Sequence, residues 1–165
     1  MSTMRNELEK IYKQDQADRL NREILEDFKK LNERDCERRK KVAMIVKKGK
    51  VKTGRDLYFT AMVYQHGPSV ADSKKAIQFA KKSMESGHKK ARWLFAATTD
   101  RLLVKQKRKQ KFGTQFSRSI ATGKVAVFPI NERTTDEERE LFGVPTLKEI
   151  KQKVKKLNQK NKRTS

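Results

Sequence analysis

The sequence predicts a mainly α-helical protein with one β-hairpin, and three observations support this fold class. No glycine or proline precedes Gly49, apolar residues recur at helical spacing over most of the chain, and β-branched and aromatic residues replace this pattern over 112–130. We expect a single-domain bundle of about five to seven helices over residues 1–158. A basic tail is expected over 159–165.

The first predicted helices occupy the segment without glycine. Their apolar residues lie three or four positions apart, which predicts helices over about 4–31 and 35–47 with a break near 32–34. Gly49 ends the second helix, because glycine readily adopts the left-handed backbone of a helix C-cap.

Three further helices are predicted in the middle of the chain. Thr53 is the N-cap of one, which ends where Gly67 is followed by proline. Ser69 caps the next, over about 70–86. The third, over about 88–105, is rich in apolar residues, and we expect it at the centre of the core.

The last third of the chain combines the hairpin with two short capping signals. The segment 112–130 surrounds a glycine-containing turn, which is typical of a hairpin. Thr135 and Glu138 have the spacing of a capping box. Thr146 and Glu149 repeat it at the start of a final amphipathic helix.

The charge of the chain is strongly positive. Lysine and arginine total 42 against 20 aspartates and glutamates, a net charge of +22. Such a charge attracts anions over about 10 Å, which favours nucleic acid, an anionic membrane surface or an acidic protein as partner. Alternatively, the charge reflects composition alone: lysine outnumbers arginine and is a common residue on solvent-exposed faces. Lysine also discriminates poorly between bases.

Basic runs occupy 38–55, 105–111 and 148–163. They are either solvated faces or surfaces for a polyanion such as nucleic acid. The predicted nucleic-acid surface lies in the second run and comprises Lys105, Lys107, Arg108, Lys109 and Lys111.

Several classes of protein are excluded by what the chain lacks. Cys36 is the one cysteine and the histidines number two, which excludes an internal disulfide and a metal site built on cysteine or histidine. We expect neither a metal nor a cofactor. No apolar stretch approaches the roughly 18 residues of a membrane span, and the N-terminus has no apolar signal core. A soluble, cytoplasmic protein is therefore expected.

Polar residues that can form a ligand site occur in two groups. Those of the N-terminal half interrupt helical patterns or stand at predicted helix ends, and His66 there is a candidate general acid or base. Exposed ion pairs and a histidine stabilised by the helix dipole explain the same residues structurally. This group comprises Asp15, Gln16, Arg19, Asp35, Arg38, Arg39, Gln65 and His66.

The second group lies at the end of the apolar helix and just after it. A buried aspartate–arginine pair needs a partner, because an unpaired buried charge is costly. A glycine there permits a tight backbone whose N–H groups can hold a phosphate or carboxylate, although glycine is also common before a hairpin strand. This group comprises Asp100, Arg101, Gln110, Gly113, Thr114 and Gln115.

These residues belong to spaced motifs that cover nearly the whole chain. They are Asp15-Gln16…Arg19, Asp35…Arg38-Arg39, Asp56-Leu57-Tyr58, Gln65-His66-Gly67, Ala91-Arg92-Trp93-Leu94, Asp100-Arg101, Gln110…Phe112-Gly113-Thr114-Gln115 and Gly143-Val144-Pro145-Thr146-Leu147. With them the chain resembles an uncharacterised, mainly bacterial family of domains of unknown function. The resemblance implies a single domain whose scattered polar residues form one set, and it implies no activity. The run 105–109 departs from the family pattern, which has a short Gly-Arg-Pro-like approach there.

Three functions follow from these features. The favoured one is a binding domain for an anionic ligand, nucleic acid or a nucleotide, that uses the basic surfaces and the polar cluster. The second is a small hydrolase-like enzyme in which His66, Asp100 or Asp15 acts as the base and Arg101 and Arg19 hold an anionic group. The third is a helical protein-interaction module without a ligand. No standard catalytic motif is present, so the sequence leaves open whether the protein is an enzyme.

Overall fold

The computed structural model describes residues 2–163, and the side chains of 7–160. This part of the chain holds eight helices, one more than the upper end of the expected range, and one antiparallel two-stranded hairpin. The predicted mainly α fold is confirmed. It divides into two compact units, one ending at Leu94 and the other beginning at Phe95. The predicted single domain over 1–158 stays a prediction.

The first unit is entirely helical. Its helices are α1 (Ser2–Asp18), α2 (Arg22–Glu26), α3 (Phe28–Lys47), α4 (Gly54–Tyr64) and α5 (Val70–Glu85). Helix α4 packs against α5, and α1 packs against α3 and α4. Their shared core comprises Leu8, Ile11, Val42, Ile45, Phe59, Val63, Tyr64 and Ala76.

The second unit combines helices with the hairpin. Its elements are α6 (Ala91–Lys105, which begins in the first unit), β1 (Phe116–Arg118), β2 (Val125–Val127), α7 (Asp136–Leu141) and α8 (Leu147–Arg163). Its core comprises Ala96, Phe112, Val144 and Ile150. Helix α8 is fixed to the hairpin by Asn158, whose Oδ1 accepts from Val125 N at 2.8 Å and whose Nδ2 donates to Val125 O at 2.9 Å.

The predicted break near 32–34 is wrong. Helix α3 continues through it, and the breaks lie instead between α1 and α2 and at Asp27. Asn21 Oδ1 accepts from Ile24 N at 3.3 Å, and Asp27 Oδ1 accepts from Lys30 N at 2.9 Å. These two N-caps begin new helices within a continuous apolar pattern, which periodicity alone does not resolve.

The predicted helix starts at Thr53, Ser69 and Thr146 are confirmed. Thr53 and Ser69 each form a complete capping box, with Asp56 and Asp72 respectively. Thr146 Oγ1 accepts from Glu149 N, and the Glu149 carboxylate accepts from Thr146 N in return. At the C-terminus, α8 extends through Arg163, into the predicted tail, and residues 164 and 165 lie outside the described residues.

Candidate functional site

The first unit buries a cluster of aspartates and arginines between α1 and α3. Asp15 and Asp18 lie three residues apart on α1, and Asp35 and Arg38 have the same spacing on α3; all four side chains are buried. Arg38 donates from Nη1 to Asp18 Oδ2 at 2.6 Å and from Nη2 to Asp35 Oδ1 at 2.7 Å. Asp35 therefore lies within α3, not at a helix start as the sequence suggested.

Arg19 and Arg34 complete this cluster from its edge. Arg19 Nη2 donates to Asp35 Oδ2 at 2.8 Å, and Arg34 Nε donates to Asp18 Oδ2 at 2.8 Å. The three arginines thus balance the three aspartates in charge. Burial lowers the pKa of Arg38, but its hydrogen bonds to Asp35 and Asp18 outweigh burial and raise that pKa overall.

His66 is brought to the same cluster by the end of α4. Its Nδ1 lies 3.0 Å from Asp15 Oδ1, and Arg19 Nε donates to its Nε2 at 3.1 Å. When Nε2 accepts this hydrogen bond, Nδ1 carries a ring proton and donates it to Asp15. The lone pair that a general base would use is therefore occupied by Arg19.

Asp15 remains ionised in this environment. Burial raises its pKa, but the hydrogen bond with His66 and the positive charge of Arg19 outweigh burial, so the pKa lies below its ordinary value. Gln16 Nε2 adds a hydrogen bond to Asp15 Oδ2 at 2.8 Å. The motif Asp15-Gln16…Arg19 is thus a set of groups that satisfy one another.

Two predicted ligand residues of this unit lie beside the cluster. Arg39 Nε is 3.9 Å from Asp72 Oδ2 of α5, and the buried Gln65 Nε2 is 3.1 Å from Met62 Sδ. Gly67 is needed for close packing here, because a Cβ on it would lie 2.3 Å from Asp72 Cβ. Arg39 and Gly67 thus both bring α5 against its neighbours.

In the second unit, Asp100 occupies a nest of backbone amides. Its Oδ1 accepts from Lys111 N at 2.7 Å and Phe112 N at 2.9 Å. Its Oδ2 accepts from Gly113 N and Thr114 N, each at 2.9 Å, and from Thr114 Oγ1 at 2.8 Å. Successive backbone N–H groups of this kind form an anion-binding concavity. The loop that we predicted to hold a phosphate or carboxylate holds the carboxylate of this same chain.

Gly113 allows this loop to form. Its φ is 95°, and a Cβ there would lie 2.8 Å from Ile150 Cδ1 and 2.9 Å from Ile130 Cδ1. The backbone conformation therefore favours glycine, and a Cβ would also have to displace the ends of these two isoleucine side chains. Arg101, the partner of Asp100 in the sequence motif, is half-buried on α6.

Gln110 and Gln115 connect this loop to the hairpin. The fully buried Gln110 side chain accepts from Gln115 N at 2.9 Å and donates to Phe128 O at 2.8 Å. Gln115 Nε2 donates to Ala97 O of α6 at 3.3 Å. These hydrogen bonds fix the loop after α6 against the hairpin and against α6, which is a structural role.

Arg139 is the residue that sequence reasoning missed. It is fully buried, and it donates from Nε to Phe112 O at 3.0 Å and from Nη1 to Thr134 O at 2.8 Å. Asp136 Oδ1, three residues earlier on α7, lies 3.1 Å from Arg139 Nη1. This spacing of opposite charges was the feature of the sequence that could have indicated an interaction of Arg139. A charged side chain in a polar helix is ordinarily taken as exposed, so the sequence alone hides its burial.

The predicted basic surface over 105–111 is divided by the structure. Lys107 has a φ of 57° and follows the end of α6, and Lys107, Arg108 and Lys109 are exposed. Lys111 instead forms an ion pair with Glu138 at 2.6 Å and lies over the ring of Phe112. Phe112 itself is 1% exposed and therefore cannot stack on a base.

The C-terminal basic run forms an open groove along one stripe of α8, which we call the α8 groove. It has a volume of about 400 Å³. It is lined by Glu149, Gln152, Lys153, Lys156, Leu157 and Lys160. The lining is thus mainly cationic, with Leu157 as its apolar residue, which suits an anionic ligand.

The polar motif residues fall into two sets, one in each unit, and each set is held together by its own hydrogen bonds. The comparisons with protein-family models, curated proteins and solved structures gave no match. The family resemblance stays a prediction. Among the described residues no group of three or more histidine, cysteine, aspartate or glutamate side chains is placed to hold a metal ion. No helix of that part of the chain has the length and apolar character of a membrane span.

Proposed function

We propose that the protein binds nucleic acid through the α8 groove. The observation that carries this proposal is the charge of α8: the segment 147–160 has six exposed lysines and a single acidic residue, Glu149. That carboxylate accepts hydrogen bonds from Thr146 N and Oγ1, each at 2.8 Å, and is engaged at the helix start. The helix therefore presents an excess of positive charge.

Four of these lysines have no acidic partner among the described residues. Lys148, Lys151, Lys155 and Lys156 form no ion pair with any described residue. Lys153 Nζ lies 5.3 Å from the centre of the Phe116 ring, which holds that side chain beside the hairpin. Exposed ammonium groups that are not neutralised attract phosphates over about 10 Å at moderate ionic strength.

The spacing of the groove lysines suits a phosphate backbone. Helix geometry places Lys153 and Lys160 about 10 Å apart along the axis, with Lys156 between them. Over that length one strand of DNA presents about three phosphates. Since lysine acts as a point charge without a fixed hydrogen-bond pattern, the expected binding is independent of sequence.

The proposed binding surface does not include the residues of the polar motifs. The arginines of the first unit are engaged by its aspartates, and the amide nest of the second unit is filled by Asp100. The exposed residues Lys107, Arg108 and Lys109, which follow α6, belong to the same unit as α8 and add positive charge to it. We assign no reaction to the protein, and a cytoplasmic location stays part of the proposal.

The test is binding of labelled single- and double-stranded oligonucleotides, measured by fluorescence anisotropy as a function of salt. Replacing the lysines of the groove (Lys153→Gln, Lys156→Gln, Lys160→Gln) should weaken duplex binding and reduce the slope of log K against log salt by about 2.7, one phosphate contact for each lysine. Glutamine keeps the helix propensity of lysine, so α8 should persist.

The matched control removes the same charge from exposed positions of α5 and the loop after it: Lys74→Gln, Lys82→Gln and Lys89→Gln. This variant should keep the wild-type salt slope. Absence of wild-type binding at about 50 mM salt, where phosphate contacts are strong, would overturn the proposal. Equal losses in the two triple variants would also overturn it, since they would indicate a net-charge effect without a groove.

A further inference from the structure

The hairpin ends in an exposed isoleucine. Ile120 is 101% exposed, and it lies in the hairpin tip, which we define as residues 119–124. We propose that Ile120 acts as an apolar wedge that inserts between adjacent base pairs of a bound duplex. This inference rests on the proposed nucleic-acid binding and names the form of the ligand, double-stranded nucleic acid.

The tip is closed by its own hydrogen bonds. Ser119 N donates to Lys124 O at 2.9 Å, and Gly123 N donates to Ser119 O at 2.8 Å. Ser119 Oγ accepts from Thr122 N at 3.2 Å. The backbone around Ile120 is therefore set before any ligand binds, and a preformed tip loses little conformational entropy on binding.

The base of the hairpin is attached to the helix that carries the α8 groove. Phe116 pairs with Val127 and Arg118 with Val125 in the antiparallel ladder. Val125 is buried, and its backbone forms two hydrogen bonds with the Asn158 side chain of α8, donating one from N and accepting one at O. A side chain that separates stacked bases must be supported from behind, and this attachment supplies the support.

The charge around the tip favours a polyanion. Arg118 precedes the tip, Lys124 is its last residue, and both are exposed. The sequence from 112 to 131 contains no aspartate or glutamate. Solitary exposed apolar residues are ordinary on protein surfaces. Ile120 differs because it stands at the end of a closed, cationic projection.

Among polyanionic surfaces, the chemistry favours a duplex over a lipid bilayer. Proteins that bend DNA insert isoleucine, leucine, phenylalanine, methionine or proline between base steps, while basic residues contact the backbone. A single isoleucine is enough for such a wedge. Stable attachment to a membrane requires a larger apolar area, such as the face of an amphipathic helix or two lipid chains.

The experiment uses the full chain and duplexes of about 20–30 base pairs, a length over which protein-induced bending is measurable. One duplex carries 2-aminopurine, whose fluorescence rises when it unstacks, and another carries a donor and acceptor dye at its ends. We expect wild-type binding to raise the 2-aminopurine signal and shorten the end-to-end distance. Ile120→Ser should lose both signals while its affinity falls by less than about tenfold, because phosphate contacts supply most of the binding.

Two further variants isolate the side chain. Ile120→Leu should keep both signals, since leucine is also an effective wedge. Leu141→Ser, which removes another apolar side chain that is 67% exposed in the same unit, should behave as wild type. Thermal unfolding should be unchanged for Ile120→Ser, as expected for a residue that touches no core.

The outcomes separate the wedge from the proposed function. If wild-type protein binds duplexes without unstacking or bending them, the wedge is wrong and nucleic-acid binding stands. If it binds no nucleic acid, both fail. Ile120-dependent binding to vesicles of phosphatidylcholine and phosphatidylserine, without any change in the duplex signals, would overturn the wedge in favour of a membrane contact.

Discussion

Arg19 donates a hydrogen bond from Nε to His66 Nε2, across 3.1 Å, and so uses the imidazole nitrogen that would otherwise act as a base. The same arginine lies 3.2 Å from Asp15 Oδ1, which in turn contacts His66 Nδ1. The three side chains form a closed triangle. Its members stabilise one another, and the Nε2 lone pair of the imidazole is engaged within the triangle.

This triangle predicts a measurable coupling in stability. Arg19→Ala and His66→Ala should each destabilise the fold by about 1–3 kcal/mol, because each leaves a partner without its hydrogen bond in a poorly solvated place. In a double-mutant cycle, urea unfolding should give a coupling energy of about 0.5–3 kcal/mol between them. Additive losses would show that the hydrogen bond contributes nothing to stability.

Asp15 predicts a pH dependence of folding. Its pKa is lowered in the folded protein, so its contribution to stability is present above the unfolded pKa of about 3.9 and is lost as the pH falls below it. Asp15→Asn should cost about 3 kcal/mol at neutral pH, because it leaves buried positive charge uncompensated. It should also flatten the decline in the free energy of unfolding below about pH 4.

The control for Asp15 is Glu37→Gln, which removes an exposed carboxylate of α3. Urea unfolding of the wild type and of both variants at several pH values makes the comparison. A decline that is equally steep in Asp15→Asn and in the wild type would contradict the assignment.

We expect the Asp100 carboxylate to keep the loop over 111–114 ordered. Asp100→Asn replaces one acceptor oxygen with a donor that faces backbone N–H groups, so we expect a loss of about 3 kcal/mol or more. Hydrogen exchange should accelerate at the amides of Lys111, Phe112, Gly113 and Thr114, and less so in the first unit. Glu132→Gln, at a side chain that is 93% exposed, is the control and should leave both unchanged. Unaltered exchange at these four amides would contradict this account.

Alanine substitutions at Gly113 and Gly143 distinguish backbone strain from steric crowding. Both have a positive φ, 95° and 67°, but a Cβ on Gly143 meets nothing within 4 Å, whereas one on Gly113 meets Ile150 and Ile130. Gly143→Ala should cost about 1 kcal/mol through the backbone alone. Gly113→Ala should cost a further 1–3 kcal/mol, roughly, from overpacking. Equal changes in the free energy of unfolding would show that the isoleucines move aside.

Local signals in the sequence predicted most of the elements. Thr53 and Ser69 are predicted as N-caps because each stands just before a new helical pattern, and each forms a complete capping box in the structure. The capping by Asn21 and Asp27 was missed, because each interrupts a helical pattern that continues on both sides. An N-cap is therefore predictable where the apolar pattern of the sequence changes at the same point. It is overlooked where that pattern continues on both sides.

The partners of the candidate residues were beyond the reach of the sequence. Asp15 and His66 are 51 positions apart, and Arg139 reaches Phe112 across 27 positions. The residue types correctly suggested polar interactions. In the sequence, however, an arginine that binds a ligand cannot be distinguished from one that binds an aspartate. Only the packing of α1 against α3, and of α7 against the loop after α6, decides between them.

The balanced cluster of the first unit has a consequence for how ionic strength acts on this protein. Salt screens exposed charges strongly and buried pairs weakly. Added salt should therefore release a bound polyanion without loosening the interior, and it should even relieve the mutual repulsion that a net charge of +22 produces. Ligand release and unfolding are then controlled separately: ionic strength governs ligand release, and pH governs unfolding.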